Sequence, residues 1–63
     1  METLIEFDTA QQARDYRHEH GKGGWIFDPE DGGNAILYPA DMYPWKIFHH
    51  WSTKGRSGTL IGA

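Results

Sequence analysis

The chain of 63 residues contains no cysteine and no valine. Without thiols it has neither a disulfide nor a thiolate metal site to supplement a small core, so stability rests on packing or on a partner. No apolar run approaches the ~18 residues needed to cross a bilayer. The opening residues, Met-Glu-Thr-Leu-Ile-Glu, lack the basic and apolar stretches of a secretion signal. A cytoplasmic protein is the expectation. Acid is missing from the last stretch: residues 45–63 carry Lys46, Lys54 and Arg56 with no Asp or Glu, giving +3. Residues 1–44 hold all nine acids against three Lys/Arg, giving −6. Repeats, linkers and low-complexity tracts are also absent, which leaves one domain over residues 1–63.

What is present is bulky. The large apolar residues are five Ile, three Leu, two Met, three Phe and three Trp, joined by three Tyr. Area scaling gives ~4,100 Å² of folded surface and roughly 6,300 Å² buried on folding. At ~25 cal/mol/Å² of apolar area this contributes on the order of 95 kcal/mol. Ordering the chain costs on the order of 95 kcal/mol as well. Nine aromatics and a net charge of only −3 argue for a folded domain rather than a disordered one.

Local signals predict an α+β domain of order β-α-β-β-α-(β). Thr3 to Phe7 reads as a strand. Asp8 follows as a helix N-cap, with Gln11 completing a capping box, and a helix over residues 9–20 ends at Gly21. Its thin inward stripe is Ala10, Ala13, Tyr16 and either Arg17 or His20. After Gly21-Lys22-Gly23-Gly24, the strand Trp25-Ile26-Phe27 stops at Asp28-Pro29. Glu30-Asp31-Gly32-Gly33 turns the chain, and Asn34 to Tyr38 returns to complete a hairpin over residues 25–38. Pro44 opens a second helix over residues 44–51. Trp45, Phe48 and Trp51 fall at i, i+3 and i+6, with Ile47 beside them. Residues 52–58 form a loop, and Thr59-Leu60-Ile61 is either an edge strand or an unattached tail.

Chemical motifs are weak. His18-x-His20 and His49-His50, with Asp15 or Glu19, are the only metal-ligand candidates. Residues two apart on a helix point about 200° from each other and neighbours about 100°, so neither pair converges. Dipole-favoured histidines near helix C-termini are the simpler explanation, and no metal or other cofactor is expected. No Gly-x-Ser-x-Gly elbow surrounds Ser52 or Ser57. His49 or His50 with Asp28, Glu30 or Asp31 would form an acid–base pair, but so short a chain leaves little material for a water-excluding pocket. No enzymatic activity and no catalytic residue is expected. Lys54-Gly55-Arg56-Ser57-Gly58 resembles an anion nest but lacks Walker spacing, and Gly21–Gly24 fails the dinucleotide pattern.

The surplus of aromatic side chains points to recognition, since so small a domain cannot bury all nine. Trp45 and Phe48 are expected to anchor the second helix to the hairpin, whereas Tyr43 and Trp51 are expected to remain exposed. The reading is a non-enzymatic interaction module that covers a surface on a larger protein or complex. Its interface residues would be Arg14, Arg17, Glu30, Asp31, Tyr43 and Trp51. Glu2, Glu6, Asp8, Asp28, Glu30, Asp31 and Asp41 would suit a basic partner surface, such as one that normally holds nucleic acid. Size and acidity match the character of phage and mobile-element accessory proteins, including inhibitors of host defence such as anti-CRISPR proteins. Two alternatives stand beside it. One is nucleic-acid binding through Arg14, Arg17 and His18 on one helix face with Lys54 and Arg56, which the acidic pI of 5.7 disfavours. The other is a homodimer held by exposed aromatics.

Overall fold

A computed structural model describes residues 4–21 and 23–62. The elements are β1 (Ile5–Phe7), α1 (Ala10–His20), β2 (Trp25–Pro29), β3 (Ala35–Tyr38), α2 (Pro44–Ser52) and β4 (Gly58–Ile61). This is the expected α+β order, with the last strand formed. The positions of Glu2, Thr3 and Lys22 lie outside the described residues. Accessible surface totals 4161 Å², in line with area scaling. Among the described residues no helix is long and apolar enough to cross a membrane.

The four strands form one antiparallel sheet in the order β1-β3-β2-β4. β1 and β2 both run antiparallel to β3, so α1 connects two parallel strands that flank a third. α2 does the same for β3 and β4 around β2. Successive strand residues face opposite sides of a sheet, and the core divides accordingly. Ile26 and Leu37 pack with Ala13 of α1, flanked by Ile5, Phe7 and Ile61. Phe27, Ile36 and Tyr38 pack with Ile47 and Trp51 of α2, flanked by Leu60. The helices therefore cover opposite faces. That is why Ala35-Ile36-Leu37-Tyr38 is buried throughout and shows no polar alternation.

Several local boundaries differ from those read in the sequence. The N-cap of α1 is Thr9, not Asp8: Thr9 Oγ1 accepts from the Gln12 N–H at 3.2 Å. Gln12 Oε1 in turn accepts the Asp8 N–H at 3.0 Å. The cap is moved by one residue, because adjacent glutamines at 11 and 12 offer two frames, and Gln12 returns its bond to the residue before the cap rather than to the N–H of Thr9. Gly21 ends the helix in the left-handed conformation, φ 63°, and its N–H bonds the Arg17 carbonyl. β2 does not stop at Asp28-Pro29. It continues through both, with Asp28 opposite Thr59 and Pro29 opposite Gly58, because β4 supplies the partner that a local reading lacks.

Candidate interaction surface

Tyr43 is the extended N-cap of α2, with Pro44 in the first turn. Ile47 and Trp51, one turn apart, are its two buried residues. This reverses the expected roles on the helix. Trp51 is only 7% exposed and stacks on Phe27 with centroids 4.6 Å apart. Trp45 and Phe48, expected as anchors, are 67% and 46% exposed. Tyr43 is open as expected, at 66%. The apolar side chains of the helix span nearly half of its circumference, wider than the stripe it buries, and the deciding contacts are long-range. Trp51 fits against Phe27, and His50 Nδ1 meets the Tyr38 hydroxyl at 2.7 Å, which sets the rotation of α2 about its axis.

The outward residues form one surface. The rings of Tyr43 and Trp45 are nearly parallel, 9° apart with centroids at 6.4 Å. Phe48 lies one turn beyond Trp45 and rests on Trp51 at 5.1 Å. The patch is thus seated on the core. With roughly 150–250 Å² per aromatic side chain, its exposed area is on the order of 300–450 Å², the size of the largest and often functional patch on a small monomer. Lys46 and His49 project from the same helix and are exposed.

The acidic end of the hairpin is organised differently from expectation. Arg56 donates through Nε to Asp31 Oδ2 at 2.8 Å and through Nη2 to Oδ1 at 3.2 Å. The Gly33 N–H adds a bond to Oδ1 at 2.8 Å. Arg56 Nη2 also donates to the Asn34 carbonyl at 2.7 Å, and the guanidinium lies 4.8 Å from the Phe27 centroid. The Asn34 bond has a cause in the strand register. The Glu30 N–H pairs with Ser57, so the backbone of Pro29 faces the β3 side, where the β2–β3 register, continued two residues past the Phe27–Ile36 pair, brings it opposite Asn34. Proline has no N–H to give, and Arg56 supplies the missing donor. Arg56 is therefore a built-in strut rather than an open anion contact, and Asp31 is already neutralised. Of the hairpin's expected interface pair, Glu30 is exposed and its carboxylate has no partner among the described residues.

This strut makes a pH prediction. The Arg56 fork, seconded by the Gly33 N–H, holds the Asp31 carboxyl down at about 2. A lowered folded pKa stabilises the fold above the ordinary carboxylate pKa, and that contribution disappears as pH falls through about 2. The melting-temperature difference between wild type and Asp31→Asn should therefore be constant at neutral pH and shrink below about pH 4. A difference that stays constant on acidification would show that the pair does not form.

The remaining candidates are dispersed. Arg14 and His18 are exposed on α1, but Arg17 turns inward and donates to the carbonyls of Gly24 and Gly62. The three do not make one open basic face. Lys54 is exposed beside a trough of about 400 Å³ between β1 and α2, lined also by Leu4, Glu6, Ile36, His50 and Arg56. The carboxylate sharing this space with His50 is thus Glu6, not Asp28, Glu30 or Asp31. Tyr38 is buried, which pushes its hydroxyl up to about 12. The hydroxyl and His50 Nδ1 share a hydrogen bond whose direction follows the imidazole tautomer. Among the described residues no group of three His, Cys, Asp or Glu is placed to hold a metal ion. Comparison of the chain with protein-family models, with curated proteins and with solved structures finds no match.

Proposed function

We propose that the protein is a non-enzymatic interaction module that lays the outer face of α2 into a groove on a larger protein and masks that surface. The observation that carries this reading is the exposed, ordered set of Tyr43, Trp45 and Phe48 on a helix whose opposite face is locked to the sheet. Rigid aromatic side chains lose little entropy on contact and dominate interface energetics. Lys46 and His49 flank the rings, and no acid follows Pro44, so the complementary groove is apolar at its floor and acidic at its rim. A basic partner would depend on the hairpin end, where Arg56 has already engaged Asp31. A groove that wraps the helix also covers Lys46 and His49 and so buries more than two patches meeting face to face, which bury on the order of 600–900 Å², short of the roughly 1,200 Å² of a stable interface. This favours a larger partner over a homodimer.

The test is affinity capture from a lysate of the cells that encode the protein, using wild type and a Tyr43→Ala/Trp45→Ala double variant, both positions being about two-thirds exposed, each with and without nuclease. The expected result is a defined protein partner that survives nuclease and binds the double variant at least ~30-fold more weakly, with unchanged melting of the variant. Equal capture by both proteins would remove α2 as the contact. Loss of the captured material on nuclease treatment would shift the reading to base stacking by Tyr43 and Trp45.

A further inference from the structure

A second feature lies on the other side of the sheet. A cleft of about 430 Å³ opens between the C-terminal turn of α1, the sheet and the segment after β3. Its floor includes Ile5 and Leu37, its walls Tyr16 and Arg17, and its lip His20 and Asp41. The volume falls in the lower part of the range that holds small molecules. The walls are firm: His20 stacks on Tyr16 at 3.9 Å, and its Nδ1 contacts the Tyr16 carbonyl at 3.0 Å.

Arg17 gives this cleft a chemical preference. It is half-buried, and its Nη1 donates to the Gly24 carbonyl at 3.0 Å and the Gly62 carbonyl at 2.9 Å. Those two bonds use two of the five guanidinium N–H groups and fix the plane of the group. Nε and Nη2, the edge that forks onto a carboxylate, have no hydrogen-bond partner among the described residues. The ion pair found among those residues is that of Arg56 with Asp31, so Asp41 shares the cleft without pairing to Arg17. A tie between two carbonyls needs only Nη1. The remaining edge is a charge-bearing fork on a side chain that lines the cleft together with Ile5 and Leu37, a combination suited to planar anion recognition.

We infer that this cleft is a binding site for a small organic carboxylate, with the carboxylate on the Nε/Nη2 edge of Arg17 and an apolar body on Ile5 and Leu37. The site lies on the α1 side of the sheet and is independent of the α2 face. It is tested by titrating isotope-labelled protein with phenylacetate and isovalerate, and with the corresponding neutral amides, while following backbone amides and the Arg17 Nε–H resonance by NMR. The expected result is saturable shifts at Ile5, Leu37 and the Arg17 Nε–H with a Kd in the millimolar range. The amides should bind at least ~10-fold more weakly, because they bring no charge to the fork. Arg17→Gln should abolish the preference for acid over amide; the wild-type Nε–H signal gives the same information if that variant folds poorly. Equal binding of acids and amides, shifts that spare the Nε–H, or no saturation with either acid up to ~50 mM would overturn the assignment.

Discussion

Trp51→Ala is expected to leave much of the protein unfolded at room temperature, whereas Trp45→Ala, on the same helix, should melt within ~2 °C of wild type. A domain of this length has roughly 3–9 kcal/mol of stability in all. Truncating a buried tryptophan removes about 3–5 kcal/mol, through lost transfer energy and the cavity left behind. The site has little means of collapsing. Phe27 stacks on one side of Trp51 and Phe48 tilts against it from another, while Ile36, Tyr38 and Ile47 complete the cluster. The indole Nε1 is buried without a hydrogen-bond partner among the described residues, so part of what Trp51 contributes by packing is offset by that donor. Trp51→Phe should accordingly recover most of the stability lost in Trp51→Ala. Urea unfolding followed by far-ultraviolet circular dichroism separates the three variants. If Trp51→Ala and Trp45→Ala unfold at the same urea concentration, α2 is rotated relative to the orientation described. The contrast also bears on function, since only Trp45→Ala can report on binding without confounding it with folding.

The parts of the structure that depend on neighbouring residues were legible in the sequence. Gly21 ends α1, Pro44 opens α2, and the Glu30–Gly33 turn joins β2 to β3, each through a local backbone preference. The inner face of α2 was not legible, because Trp45, Ile47, Phe48 and Trp51 allow more than one apolar stripe at helical spacing. Its choice is made by partners on β2 and β3, including Tyr38 twelve residues before His50. The cations behaved alike. Residue type shows that Arg17 and Arg56 are charged, but not that Arg17 reaches Gly62, 45 positions away, or that Arg56 reaches Asp31, 25 away. One signal for Arg56 was present: a proline within a strand implies an unpaired carbonyl on the neighbouring strand, and such a carbonyl requires a donor from elsewhere. The candidate surface shifted from Trp51 to Trp45 and Phe48 for the same reason that the helix face was ambiguous. Tyr43 was readable because it precedes Pro44, outside the helical stripe.

Gly58→Ala should be among the most damaging substitutions of any glycine here, although Gly58 has no unusual backbone angle. The limit is space. A Cβ at this position would stand 2.7 Å from Phe27 Cε1 and 2.9 Å from Pro29 Cα, and would collide with the Asp28 carbonyl oxygen. Two of these atoms belong to the backbone of β2. The third belongs to a ring held between Trp51 at 4.6 Å and the Arg56 guanidinium at 4.8 Å. None can move without disturbing the β2–β4 register or the strut on Asp31 and Asn34. The expected loss is about 2–3 kcal/mol, or roughly 10–20 °C in Tm for a domain this small. Gly55→Ala provides the control, because its φ of 69° strains an alanine but no atom lies within 4 Å of the added carbon. That strain costs about 1 kcal/mol. Gly58→Ala should also lower hydrogen-exchange protection at Thr59 and Ile61, the β4 residues paired with Asp28 and Ile26, while Gly55→Ala should spare them. Melting of Gly58→Ala within ~3 °C of wild type, with that protection intact, would mean that β4 does not lie against Asp28 and Pro29. The Asn34 carbonyl would then have lost the geometry that makes Arg56 its donor, so the same measurement tests why this arginine is withheld from solvent.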